Sequence, residues 1–188
     1  MDLKAKLTIV LASTRKGRRG EKVAEWFLPI AQNDARFEAV LADLNEYDLP
    51  FFADEVEPSD REDKKYPDPK VQKWSDTIDN SDAMIFILPE YNHGMSAPLK
   101  NSIDHLYWEW LDKAVGFVGY GSRGAGDAID SLRHTAKALK WRIAPSTVGI
   151  HQVKKAFNEN GDLADKEKYE KAAREMLDQL AAISDSIK

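Results

Sequence analysis

The side chains with most chemical capability fall in three short stretches. The first, Ser13-Thr14-Arg15-Lys16-Gly17-Arg18-Arg19-Gly20-Glu21-Lys22, is basic and carries hydroxyls. It lies between an apolar run and the apolar positions Val23, Ala24, Trp26, Phe27 and Ile30 of a helical pattern. A helix amino terminus presents free amides and partial positive charge, and with Arg15, Lys16, Arg18, Arg19 and Lys22 beside it the stretch suits a phosphate. A solvated basic turn is the plain alternative; the position directly after a first strand favours the phosphate cradle.

The second stretch, Pro89-Glu90-Tyr91-Asn92-His93-Gly94, ends the apolar run 83–88 and precedes Ser96-Ala97-Pro98-Leu99-Lys100-Asn101, which opens a helix with Leu99, Ile103 and Leu106 at helical spacing. Loops at the carboxyl ends of buried strands are where open α/β sheets bind ligands. Here Tyr91 offers an aromatic face, Asn92 and His93 offer donors and acceptors, and Gly94 allows close approach or a positive φ angle. The third stretch, Gly119-Tyr120-Gly121-Ser122-Arg123-Gly124, spells G-x-G-x-x-G after a strand at 114–118. A dinucleotide fingerprint needs an acidic residue about 20 positions on, and none stands between Asp130 and Glu159. The stretch is better read as a further glycine-rich ligand loop.

Other chemistries are excluded or unsupported. The chain has no cysteine, which removes disulfides, thiolate nucleophiles and cysteine metal sites. His105, His134 and His151 are scattered and fall in no metal-ligand spacing, so no metal is expected. His93 is the titratable group of the second loop near neutral pH, and positioning or solvent exposure is its expected role. A formal charge of −5 argues against nucleic acid as a partner. No apolar run reaches the length of a membrane span and the amino terminus lacks a signal-peptide core, so a cytoplasmic location is expected.

The elements that must position these loops alternate. Strand-like runs occupy 7–12, 37–44, 83–88, 114–118 and, around Pro145, 142–150; helical patterns occupy 70–82, the segment from Ala97 to Trp110, 127–139 and a final docking helix at 165–187. The polar stretch 53–69 carries no core periodicity and is expected to be a mobile excursion or lid. The aromatic run Tyr107-Trp108-Glu109-Trp110 exceeds what one packing face needs and suggests a subunit interface. With 188 residues the chain suits one domain, 1–188. The loops converge if the sheet is parallel with order 2-1-3-4-5.

Pro89-Glu90-Tyr91-Asn92, followed by Pro98-Leu99-Lys100-Asn101 and Ile103-Asp104, closely resembles the flavin signature of the NAD(P)H-dependent FMN reductase family. Ser13-x-Arg15 before a helix, Asp43-Leu44 and Leu49-Pro50-Phe51 extend the resemblance, which covers roughly 7–148. It implies an α/β flavodoxin-like three-layer sandwich built on a five-stranded parallel sheet. It further implies an FMN cofactor and NADPH or NADH as electron donor. Ping-pong hydride transfer to a quinone, flavin, azo or other small acceptor would follow, in a homodimer or homotetramer. The implied FMN contacts are Ser13, Arg15, Arg18, Arg19, Gly20, Glu21, Lys22 and Val23 at the phosphate; Pro89, Glu90, Tyr91, Asn92, His93 and Gly94 along the isoalloxazine; and Gly121, Ser122 and Arg123 beside it. No catalytic acid or base is implied. Gly20 and Lys22 depart from the small alcohol and asparagine that many relatives carry. Arg123 could face the flavin, the phosphate of NADPH or solvent. Two alternatives keep the fold: a flavodoxin-like electron carrier, and a cofactor-free regulatory or interaction protein.

Overall fold

A computed structural model describes residues 4–187. Residues 1–3 and Lys188, which belong to the expected domain span, lie outside them. The sheet is parallel, in the order β2-β1-β3-β4-β5, with β6 also paired to β4. Its strands are β1 (Ala5–Leu11), β2 (Phe37–Asp43), β3 (Ala83–Pro89), β4 (Ala114–Tyr120), β5 (Arg142–Ile143) and β6 (Val148–Ile150). Every residue of β3 and β4 is buried, as expected of central strands covered on both faces. The expected order holds, and the expected fifth strand is divided. Pro145, which has no N–H for the ladder, lies in the gap, and Ser146 turns instead to the carboxy-terminal helix, its N–H donating to Gln179 Oε1 at 2.7 Å.

Two apolar layers sandwich the sheet. On one face α1 (Gly20–Gln32) and α7 (Lys166–Ile187) pack Val23, Phe27, Met176 and Leu180 against Leu7, Ile9, Ile85 and Val118. On the other, α3 (Pro69–Asp79), α4 (Ala97–Asp104) and α5 (Gly126–Ala138) cover Val10, Phe86 and Phe117 with Trp74, Leu99, Ile103 and Leu132. A short α2 (Leu44–Tyr47) and α6 (Val153–Ala156) complete the helices, with 3₁₀ turns at Pro58–Asp60 and Trp108–Trp110. Among the described residues no helix is long and apolar enough to cross a membrane.

Two expectations about the periphery, a helix running to Trp110 and a lid at 53–69, are corrected. α4 stops at Asp104, and the aromatic run beyond it turns inward. Trp110 is fully buried against Trp74, Phe86 and Trp141, and Trp108 Nε1 donates to Ser59 O at 2.9 Å. Trp110 of the aromatic run thus serves packing within the chain, while Tyr107 and Trp108 stay partly exposed. The 53–69 stretch is the partner of that packing: Tyr66 is buried, Arg61 pairs with Asp54, and Tyr66 N donates to Gln72 Oε1. It is anchored beside α3 rather than poised as a lid over the strand ends.

Candidate active site

The carboxyl ends of β1, β3, β4 and β6 open onto one cavity of about 420 Å³, inside the roughly 300–1,000 Å³ usual for small-molecule sites. Arg15, Arg19, Pro89, Glu90, Tyr91, Tyr120, Gly121, Ser122 and Gln152 to Lys155 line it. The three expected loops thus meet at one place, joined by a fourth that follows β6.

The basic loop divides its cations between two tasks. Arg18 is committed to structure: Nη1 donates to Asp43 Oδ1 (2.7 Å) and Ser13 O (2.5 Å), Nη2 pairs with Asp43 Oδ2, and Nε donates to Glu21. This bidentate grip, which holds the guanidinium pKa above its ordinary value, ties the loop to the end of β2. Arg15 bends over its own loop, donating to Lys16 O and Gly17 O, and lines the cavity. Arg19, the residue preceding α1, makes no side-chain hydrogen bond or ion pair among the described residues, and α1 has no side-chain cap. The first amides of α1 and two guanidinium groups thus stand ready for an anion.

Ser13 is buried beneath the cavity floor, its Oγ accepting from the Tyr120 hydroxyl at 2.9 Å. Burial pushes the Tyr120 phenol up to about 12, so this hydroxyl remains a donor at working pH. Gly20 lies directly against the pair: a Cβ there would meet Tyr120 Oη at 2.6 Å and Leu11 Cδ1 and Ser13 Oγ at 2.7 Å. A side chain at this position has no space. Val23 belongs to the core, and Glu21 and Lys22 are exposed outside the lining.

Beyond β3 the chain makes a tight hairpin, Tyr91 and Gly94 exchanging N–H···O bonds of 3.0 Å in both directions. Asn92 (φ 50°) and His93 (φ 61°) take the two positive-φ positions that such a turn requires. Of the two roles open to Gly94, close approach or a positive φ angle, the second falls instead to Asn92 and His93. Pro89, Glu90 and the exposed ring of Tyr91 face the cavity; Asn92, His93 and Gly94 lie outside its lining. Ser96 Oγ donates to Ala12 O at 2.5 Å and so fixes the exit of β3 to that of β1. Asn101 clamps the connection after β2, donating to Pro50 O and accepting from Phe52 N.

The glycine-rich loop is mostly packing. A Cβ on Gly119 would strike Gly124 O at 2.5 Å, and Gly124 (φ 75°) abuts Gly149 of β6. Gly121 and Ser122 alone of its expected contacts line the cavity. Arg123 turns away to a polar cluster: His93 Nδ1 lies 2.5 Å from Asp127 Oδ2, Arg123 Nη2 lies 3.4 Å from the same oxygen, and Glu90 Oε2 accepts from Asp127 N at 3.0 Å. The hydrogen bond from His93 holds the Asp127 carboxyl below its ordinary value. Although Glu90, His93 and Asp127 place ligand atoms within 4.8 Å of one another, Arg123 beside them supplies the cation that the carboxylates would otherwise seek.

The donor set fits FMN: a cationic, amide-rich end for a phosphate, an aromatic and proline wall, and an open glycine edge for a flat ring. Residues 5–155 match the sequence model of a family described as NADPH-dependent FMN reductase. The chain belongs to this family. It is an oxidoreductase. An NAD(P)H-dependent FMN reductase of Schizosaccharomyces pombe is 33% identical over 141 residues, 75% of this chain and 70% of that protein. A Bacillus NADPH azoreductase is 28% identical over 152 residues, 78% of each chain. Among solved structures, the flavoenzyme NAD(P)H:(acceptor) oxidoreductase FerB of Paracoccus denitrificans shares the fold with a TM-score of 0.73, at 22% identity over 96% of this chain and 98% of that one.

Within the family frame, the segment that sequence reasoning missed is Gln152 to Lys155. It follows the last short strand, and its only chemical signal is the lysine pair. Applying the strand-end rule to that strand, as to the other three, would have found it.

Proposed function

We propose that this chain binds FMN in the strand-end cavity and uses NAD(P)H to reduce a small acceptor of the quinone, azo or flavin class. One observation carries the proposal: Arg15 and Arg19, the residue that precedes the uncapped α1, share a single cavity with the Pro89–Tyr91 wall and the Gly121–Ser122 edge. When bound, FMN supplies the two-electron chemistry, taking a hydride equivalent from the donor and releasing it to the acceptor.

The residues supply binding and orientation. The α1 amides and the guanidinium groups of Arg15 and Arg19 would hold the phosphate. Pro89 and Tyr91 would wall the ring, and Gly121 and Ser122 would bring main-chain groups to its edge. Tyr120 and Ser13 set the floor without exchanging protons, since Tyr120 is held protonated. The carboxylate lining the cavity, Glu90, is engaged by the first turn of α5. These roles leave the chemical step to the cofactor.

An anaerobic absorbance titration of the FMN-loaded protein tests this. Bleaching of the oxidised flavin band at about one equivalent of NADPH or NADH, reversed by a quinone, is the expected result. Binding without bleaching would assign the chain to electron carriage. Failure to bind FMN would remove the enzymatic reading.

A further inference from the structure

The cavity holds more positive charge than one phosphate needs, and the surplus stands on an element of its own. Lys154 and Lys155 line it, are exposed, and make no side-chain hydrogen bond or ion pair among the described residues. Their backbone is nevertheless fixed. Gln152 N donates to Ser122 O at 3.2 Å, Val153 N donates to Gly121 O at 3.1 Å, and Val153 is buried. The lysines are therefore carried by the same hydrogen-bonded unit that shapes the glycine edge.

Arg15 and Arg19 stand at the exit of β1, and β3 and β4 lie between β1 and β6. Three inter-strand spacings of about 4.8 Å separate the two exits by roughly 14 Å. A phosphate seated on the amides of α1 leaves the lysines without a counter-charge. Glu90, which lines the same cavity, turns one oxygen to Asp127 N and forms no ion pair with either lysine among the described residues, and Arg123 is drawn to Asp127. In a chain of net charge −5, this local excess of cations calls for a second anionic group.

We propose that Lys154 and Lys155 recognise the 2′-phosphate of NADPH and make the chain prefer NADPH to NADH, an inference that rests on the FMN reductase reading. The two donors differ by that phosphomonoester, which carries about −1.5 to −2 at pH 7. An ammonium grips phosphate as a point charge on a flexible stem, without the fixed planar geometry of arginine. Such a grip suits a nucleotide that must enter and leave in each cycle.

The test is calorimetric titration of the protein, in excess FMN, with 2′,5′-ADP and with 5′-AMP, which differ only in the 2′-phosphate. Wild type is expected to bind 2′,5′-ADP about tenfold tighter, equivalent to roughly 1.4 kcal/mol. The K154Q/K155Q variant should bring that ratio to near one with FMN affinity unchanged, and K154R/K155R should retain it. The proposal is overturned by an unchanged ratio in K154Q/K155Q, by equal weakening of both nucleotides, or by weakening of FMN instead. Its failure is separable from failure of the reductase reading. Discrimination without flavin bleaching sinks only the latter; bleaching without discrimination sinks only the lysine assignment.

Discussion

Gly20 and the Tyr120 hydroxyl compete for one small volume beneath the basic loop. Gly20→Ser places a side chain against Tyr120, Leu11 and Ser13 and should destabilise the fold by about 1–3 kcal/mol, as overpacking of a dense site does. Tyr120→Phe alone removes the hydrogen bond to Ser13 at about 0.5–1.5 kcal/mol. Together they should cost less than the sum, because the second change vacates the space the first requires; a coupling above about 0.5 kcal/mol in urea denaturation is the expected sign. Strict additivity would mean that the loop relaxes around the introduced hydroxymethyl group independently of Tyr120. From the sequence, Gly20 was visible as a departure from the family pattern, but its reason was not, since Tyr120 meets it only after β1 and β4 are placed two strands apart. Arg18 shows the opposite limit. Its charge marked it for a phosphate, while Asp43, the partner that claims it, lies on another strand.

At the scale of elements, the hairpin after β3 is clasped to the start of α5 by His93 and Asp127, with Arg123 alongside. The hydrogen bond from His93 is the main cause of the lowered Asp127 pKa, with desolvation opposing it and the charges of His93 and Arg123 adding to it. A carboxyl with a depressed folded pKa contributes stability that is present above its unfolded value of about 3.9 and disappears as pH falls through the folded pKa. The clasp should therefore hold through neutral and mildly acidic solution and release only below the ordinary carboxylate range. In a carbon-detected NMR titration the Asp127 midpoint should lie below 3.8 in the wild type and rise toward it in His93→Gln. An unmoved midpoint would show that the two side chains do not interact in solution. Such cross-element contacts mark the boundary of what sequence periodicity reveals. The strands and the basic loop were legible from apolar runs and charge, and the strand order came with the family resemblance. The division of the last strand at Pro145, the inward turn of Trp110 and the anchoring of 53–69 by Trp108 were not, because each depends on a partner brought near by the fold.

For the whole molecule, cofactor binding and stability are one equilibrium. A ligand that binds only the folded chain adds about 2.7 kcal/mol when present at 100 times its dissociation constant. For a chain of 188 residues this corresponds to a rise in Tm of about 5–10 °C. FMN should therefore raise the melting temperature by that amount at saturation, in differential scanning fluorimetry read from tryptophan. On the proposed reading Arg15, Arg19 and the α1 amides would supply part of this, on a molecule whose net charge of −5 otherwise repels an anion. Riboflavin has the same ring and no phosphate, so at equal concentration it should give a distinctly smaller shift. Raising the salt from about 0.15 M to 1 M shortens the Debye length from about 8 to 3 Å and should narrow the gap between the two ligands. An FMN shift no larger than that of riboflavin would show that the cations of the first loop do not hold a phosphate, and the assignment of that end of the cavity would fall with it.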